Sequence, residues 1–297
     1  MFLLYESIIE PILDGLRPRV VVEIGSETGA TTRKLIEFCG RSGALLHAVD
    51  PNPGFDPGDW PGRYGGRAIF HRTTGLDALS RIAGFDAVLI DGDHNWYTVY
   101  HELKQVEATC ANSGHPFPLI LLHDVGWPYG RRDQYYHPES IPAEFRQPHA
   151  KRGMRPGSGE LLESGGFNYG YWNGLFEGGP RNGVLTAVED FVRESGDRLE
   201  LTTFPGFHGL GILASRTLIE RNEALARFLG TLNLTEAVRR HIEGLEANRI
   251  DLAARLQESQ PPPGRLGVWK GRLSRGLRLL GGADRDGSQN RRGALAP

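Results

Sequence analysis

The run RVVVEIG at residues 19–25 constrains this chain more than any other segment. It is β-branched, unbroken by polar alternation, and closed by Gly25, so it reads as a strand buried on both faces. Strands of that kind belong to parallel sheets covered by helices. Four further runs follow: ALLHAVD (44–50), RAIFHR (67–72), DAVLI (86–90) and LILLH (119–123). Helical stretches, among them 30–39 and 96–110, separate most of them. Strands alternating with helices at this spacing predict a doubly wound α/β sheet with right-handed crossovers. Past a helix at 183–195, RLELTTF (198–204) and HGLGILA (208–214) are joined by Pro205 and Gly206, which predicts an antiparallel hairpin. The expected architecture is a Rossmann-like sheet of about seven strands, mostly parallel, with a C-terminal antiparallel hairpin, a long insert after strand five and a C-terminal helix.

At 297 residues the chain can bury a substantial core without staples. The main domain is expected over 1–216, opened by MFLLYESIIEPIL, whose spacing of apolar residues around Glu6 and Glu10 fits an amphipathic docking helix. Residues 124–182 break the α/β rhythm with Gly, Pro and many aromatics. Aromatic richness argues against disorder, so this insert is read as a lid or substrate element, with a locally packed surface excursion as the alternative. A helical extension is expected at 217–260. Its seam of Val238, Ile242, Leu245, Leu252 and Leu256, broken at Arg249, suits another helix, a second copy of the chain (a homo-oligomer through 217–258), or the chain's own domain. Residues 265–297 carry eight Lys and Arg against two Asp, and 261–297 is expected to be a flexible basic tail.

The charges nearly balance, with 34 Lys and Arg against 36 Asp and Glu, so neither a nucleic-acid nor a membrane partner is expected. Two cysteines, Cys39 and Cys110, support neither a disulfide framework nor a thiolate metal site and suit a reducing, cytoplasmic setting. No run approaches the roughly 20 apolar residues of a membrane span. The expected partner is a small molecule.

Glu23, Gly25 and Gly29 form E-x-G-x-x-x-G on the turn from the first strand into the first helix. Glycine there permits a tight turn and close approach of a ligand, and the helix N-terminus beyond offers N–H groups. Glu27 stands where a dinucleotide binder has its second glycine, so a nucleotide without a diphosphate fits better. Asp50 ends strand two, where an acidic side chain binds ribose hydroxyls in folds of this kind. A bare turn-forming role for Asp50 before Pro51 is the simpler alternative.

Through VVEIGSETG and HAVDP the sequence resembles the class I S-adenosylmethionine-dependent methyltransferases. The resemblance spans roughly residues 15–215 and implies S-adenosylmethionine as cofactor. On that basis Glu23, Gly25, Ser26 and Gly29 surround the methionine part, Asp50 holds the ribose, and the segment from Thr73 to Leu76 lies near the adenine.

At the other end of the cleft, FDAVLIDGDH and PLILLHDV place Asp91, Asp93, His94, His123 and Asp124 after strands four and five. Oxygen and nitrogen ligands of this kind suit a divalent ion, which lowers the pKa of a bound hydroxyl while a nearby histidine takes the proton. Singly, each has a plainer reading: Asp91 and Asp124 as caps, His123 as a satisfied buried histidine. The D-G-D-H stretch is similar to D-G-x-H of the metal-dependent macrocin-type sugar O-methyltransferases. That resemblance implies Asp91 and Asp124 as metal ligands and His94 as catalytic base, with Asp93 in support. His123 departs from it, because that family has a carboxylate there; an imidazole still ligates but favours Mn²⁺ or Fe²⁺ relative to Mg²⁺. Tyr129 and Arg131 are the substrate-contact candidates in the insert.

The leading expectation is therefore methyl transfer to a hydroxyl of a small molecule, with a sugar of a glycosylated natural product as a candidate acceptor. The D-G-x-H resemblance extends to cephalosporin hydroxylase-like proteins, which makes a metal-dependent enzyme of natural-product modification the alternative. A non-catalytic binding or scaffold protein with a structural cofactor pocket is the third reading.

Overall fold

The computed structural model describes residues 1–58 and 60–259. The basic tail expected at 261–297 lies outside the described residues. The first half of the chain alternates as its apolar runs require: α1 (Glu10–Leu16), β1 (Val20–Ile24), α2 (Ala30–Ser42), β2 (Leu45–Val49), α3 (Trp60–Arg63), β3 (Ala68–His71), α4 (Gly75–Leu79), β4 (Ala87–Ile90), α5 (Trp96–Ser113) and β5 (Leu119–His123). The insert holds β6 (Gln134–Tyr135), β7 (His149–Lys151) and β8 (Trp172–Gly174). Then come α6 (Val184–Ser195), β9 (Leu199–Phe204), β10 (Leu210–Ser215), α7 (Arg216–Arg221), α8 (Glu223–Thr231) and α9 (Glu236–Glu258).

Seven strands form one sheet in the order β3-β2-β1-β4-β5-β10-β9. The first five are mutually parallel, and β10 alone runs against its neighbours β5 and β9. The chain moves outward from β1 to β3 and then crosses to β4 on the other side of β1. That reversal falls between β1 and β4, and ligands of open α/β sheets bind beyond the C-terminal strand ends at such a point.

Alternate residues of each central strand enter different cores, which is why the strands read as unbroken apolar runs. Val21, Leu46, Leu89 and Leu121 pack with Leu35 and Phe38 of α2, with Ile8, Ile12 and Leu13 of the opening segment, and with Leu225 and Leu229 of α8. Val22, Val88, Ile120 and Leu122 pack with Leu79, with Val99, Leu103 and Val106 of α5, and with Val188 and Phe191 of α6. The opening segment docks as expected, but as a 3₁₀ turn (Phe2–Leu4) and a π turn (Tyr5–Ile9) running into α1.

Within the insert, β6, β8 and β7 make a small antiparallel sheet. Strands of two or three residues are too short to leave a periodic trace in sequence. Its organising groups are polar and buried. Arg132 is fully buried and donates to the carbonyls of Gly174 (2.6 Å) and Gly159 (2.8 Å). Asp133, also fully buried, accepts from Trp96 N (2.8 Å), Gly183 N (2.7 Å) and the Tyr135 hydroxyl (2.7 Å), pinning the insert to the first turn of α5 and the start of α6.

Helix α9 packs on the insert through Ile250 and Ala254, beside Tyr129, Met154 and Phe167. The expected seam is not this face: Val238, Leu245, Leu252 and Leu256 are exposed, and only Ile242 turns inward, toward Gly206. Among the described residues no helix is long and apolar enough to cross a membrane.

Candidate active site at the strand ends

On the cofactor side, β1 leads into Gly25, whose φ of 89° is costly for other residues and whose N–H donates to Val49 O at 2.9 Å. A Cβ there would lie 2.2 Å from the Asp91 carbonyl oxygen, so only glycine lets the loops after β1 and β4 close on each other. Gly29 (φ 73°) precedes α2, where a Cβ would meet the Phe55 ring at 3.1 Å. Glu27 N donates to Asp50 Oδ2 at 2.8 Å and Asn52 N to Oδ1 at 2.7 Å, which orients the Asp50 carboxylate at the end of β2.

Glu23 is 2% exposed. The Ser26 hydroxyl donates to its Oε2 at 3.1 Å, while Oε1 is buried without a hydrogen-bond partner. Burial pushes this carboxyl up to about 7, against the hydrogen bonds that favour its charge. An orphaned carboxylate oxygen beside a glycine cradle fits an ammonium such as that of the methionine part of S-adenosylmethionine. Thr73 is placed differently from the rest: its hydroxyl donates to Asp77 Oδ2 at 3.2 Å, while Thr74 caps α4, so this stretch is the entry turn of that helix.

On the reaction side, Asp91, His123 and Asp124 offer ligand atoms that all lie within 4.8 Å of one another. His123 Nδ1 is 2.8 Å from Asp124 Oδ2 and 3.1 Å from Asp91 Oδ1. His94 Nε2 is 3.0 Å from Asp124 Oδ2 and 3.7 Å from Asp91 Oδ1. The Met1 amino group lies 3.0 Å from Asp91 Oδ2. Asp124 takes a left-handed backbone conformation (φ 59°) immediately after β5, a strained state of the kind that persists where surroundings over-determine it.

Electrostatics follow from this crowding. Burial works against the charge of every member, but the opposite charges outweigh it. Asp91 and Asp124 are held well below the ordinary carboxylate range, chiefly by His123; the Met1 amino group lowers Asp91 further, and His94 adds to the effect on both. His94 rises well above the ordinary imidazole value through Asp124 and Asp91, and His123 is pushed up to about 9 through the same pair. A buried carboxylate beside a half-buried one demands positive charge, and a divalent ion answers that need as imidazolium does.

Capping does not account for these aspartates. The cap of α5 is Asn95, which accepts from Thr98 N at 2.9 Å, and Asp93 accepts from the Thr98 hydroxyl at 2.9 Å, outside the ligand cluster. Tyr129 stacks on His94 with centroids 5.5 Å apart, and its hydroxyl is engaged by Asn168 and Asn173. It is a wall of the site rather than a free polar contact. Arg131 does not join the site: its guanidinium grips Glu189 of α6 at 2.5 and 2.7 Å.

Three residues of the site carry no local sequence signal. Gln134 Oε1 accepts from His94 Nδ1 at 3.1 Å, and its backbone N–H donates to His94 O at 2.9 Å. Tyr136 lies 6.0 Å from the His94 ring and 5.9 Å edge-on from Tyr171, continuing the aromatic wall. His208, from the β9–β10 turn, meets His123 edge-on at 6.3 Å. All three arrive through the insert or the hairpin, far from β4 and β5 in sequence.

No curated protein matches the chain. Among solved structures it is similar to a methyltransferase from Podospora anserina with S-adenosylhomocysteine bound (15% identity, 70% of this chain and 76% of that one, TM-score 0.41). It is also similar to a 1,6-didemethyltoxoflavin N1-methyltransferase from Burkholderia thailandensis (17% identity, 71% and 78%, TM-score 0.38). A third is an O-methyltransferase of neocarzinostatin biosynthesis (12% identity, 66% and 49%, TM-score 0.38). Residues 22–125, from β1 to the loop after β5, match the family described as a methyltransferase domain. The matched stretch is about a third of the chain and holds both the Gly25 turn and the Asp91, His123 and Asp124 cluster.

Proposed function

We propose that the protein methylates a hydroxyl of a small molecule with the assistance of a divalent metal ion, and that the acceptor class is a ring-bearing natural product such as a glycosylated one. The observation that carries this reading is the convergence of Asp91, His123 and Asp124 within 4.8 Å, with His94 Nε2 on the same carboxylates. Asp91, His123 and Asp124 would hold the ion, which when bound supplies the charge that lowers the pKa of a hydroxyl. His94 is the base: Nδ1 donates to Gln134, so Nε2, which faces Asp124 Oδ2 at 3.0 Å, is the nitrogen that takes the acceptor proton once it has lost its own. Tyr129, Tyr136 and Tyr171 present ring faces and edges that suit a sugar or another flat ring and hold its hydroxyl toward the methyl donor. The insert carrying these tyrosines shields the reaction from water.

The test is calorimetric titration of S-adenosylmethionine into metal-free and Mn²⁺-loaded protein, for wild type and Asp91→Ala. The expected result is cofactor binding in both proteins and metal uptake in wild type alone. Cofactor binding without any metal uptake by wild type would remove the metal from the mechanism. A second reading, a cephalosporin hydroxylase-like modifying enzyme, draws on the two imidazoles and two carboxylates of the cluster, a ligand set that also suits iron; bound iron without methyl transfer would favour it.

A further inference from the structure

Helix α9 lies outside the sheet, yet it holds two turns that each stand one contact away from the reaction site. The first is the β9–β10 turn, in which Phe207 (φ 48°) and His208 (φ 69°) both adopt left-handed backbone conformations. Glu246 of α9 accepts the His208 backbone N–H at 2.8 Å. Arg249, paired with Glu246 at 2.7 Å, directs Nη2 at His208 Nε2 from 2.9 Å and covers the Phe207 ring. Because Arg249 donates to Nε2, the His208 proton resides on Nδ1, which faces Trp127 O at 3.1 Å.

From there the contacts reach the cluster directly. Gly126 N donates to His208 O at 2.7 Å, two residues beyond Asp124. A Cβ on Gly126 would lie 2.8 Å from that same oxygen, so the two turns are in backbone contact with no room for slack. The His208 ring meets His123 edge-on, and Leu210 pairs with His123 in register. The second turn is 165–168. Glu258 accepts from Gly166 N at 2.6 Å and Gln257 from Asn168 N at 3.1 Å, while Asn168 donates to the hydroxyl of Tyr129, which stacks on His94.

We propose that α9 is the positioning element of the acceptor side, with Glu246 and Arg249 as positioning residues that set His123 and Asp124 through the His208 turn. The left-handed turn is the kind of backbone state that persists only when its surroundings impose it, and the Glu246–Arg249 pair is what imposes it here. Neither residue reaches the methionine cradle at Glu23 and Gly25, so the cofactor side is independent of them. The inference rests on the cluster being the reaction centre, as proposed above.

The experiment follows the imidazole NMR resonances of His123 and His94, Mn²⁺ affinity and S-adenosylmethionine affinity in the full-length protein, for wild type, Arg249→Ala, Arg249→Lys and Glu246→Gln. Arg249→Ala should move the His123 resonances and weaken Mn²⁺ binding about tenfold or more, as loss of a supporting contact does at metal sites, with cofactor affinity unchanged. Arg249→Lys should restore part of both, since an ammonium can still donate to His208. If Arg249→Ala does not fold, Arg249→Lys and Glu246→Gln carry the same readout. Unmoved His123 resonances in folded variants would overturn the proposal, as would a cofactor affinity that falls in step with the metal. Should wild type take up no Mn²⁺, the metal reading fails, and the His123 resonances still decide this one.

Discussion

His94 Nε2 lies 3.0 Å from Asp124 Oδ2, while Gln134 holds the other ring nitrogen at 3.1 Å. The carboxylate that orients this imidazole also keeps it protonated, because Asp124 raises it well above its ordinary value against the effect of burial. A protonated His94 cannot act as base. Activity should therefore be lost as pH falls through the raised value and recovered above it. Metal loading transfers part of the Asp124 charge to the ion and should shift the rise in kcat/KM to lower pH. His94→Gln should reduce kcat by about 100-fold or more while leaving S-adenosylmethionine binding intact; an unchanged pH–rate profile in the metal-loaded enzyme would count against His94 as base.

If the proposed metal reading holds, its ion preference turns on His123. Replacing it by a carboxylate adds negative charge and hard oxygen to the cluster, so His123→Glu should strengthen Mg²⁺ relative to Mn²⁺ and Fe²⁺. Competitive metal titrations read this ratio; a preference that does not move would place His123 outside the ligand set.

Glu23 should make cofactor binding pH-dependent. Its carboxyl is pushed up to about 7, so it is largely protonated below that value and charged above it. If Glu23 faces the methionine ammonium, S-adenosylmethionine affinity should fall as pH drops through about 7 and level off above. Glu23→Gln should weaken binding at pH 8 and flatten the dependence. For the ligand-free fold the sign is opposite: a raised carboxyl favours the folded state at acid pH and loses that contribution as pH rises toward its folded value, so Glu23→Gln should be relatively more stable at pH 8 than at pH 5. Thermal unfolding at the two pH values checks it.

Asp133 should be the most sensitive single residue of the insert. Asp133→Ala leaves two buried N–H donors and the Tyr135 hydroxyl without their acceptor, a loss of about 3 kcal/mol or more. The insert should become open to limited proteolysis between 124 and 182 before the sheet unfolds. Unchanged proteolysis and unfolding would show that the hydrogen-bonded hub is not what docks the insert.

Much of this molecule follows from short-range features of its chain. The strands could be read because each central one is buried on both faces, which leaves a local composition that polar strands lack: Val21 and Val22 serve two different cores yet look alike in sequence. Asp91, His94, His123 and Asp124 were legible because adjacent parallel strands bring their C-terminal ends together, so residues just past two apolar runs become neighbours.

Tertiary structure decided the rest. Gln134, Tyr136 and His208 reach the site from segments whose paths depend on polar contacts across long stretches of chain, such as Asp133 to Gly183 and Arg249 to His208. Arg131 stands one residue before buried Arg132 and still faces Glu189. Likewise, the leucines of α9 repeat as a seam, but Glu246 and Arg249 bind the His208 turn and rotate that seam to solvent. By itself, then, the sequence determined the sheet, the glycine turn after β1 and the four-residue cluster, because hydrophobic periodicity and strand-end position are local properties. Which residues of the insert and hairpin reach the cluster, and which face of α9 is buried, was decided only in the folded protein, because a directional hydrogen bond between distant groups leaves no periodic mark on the chain.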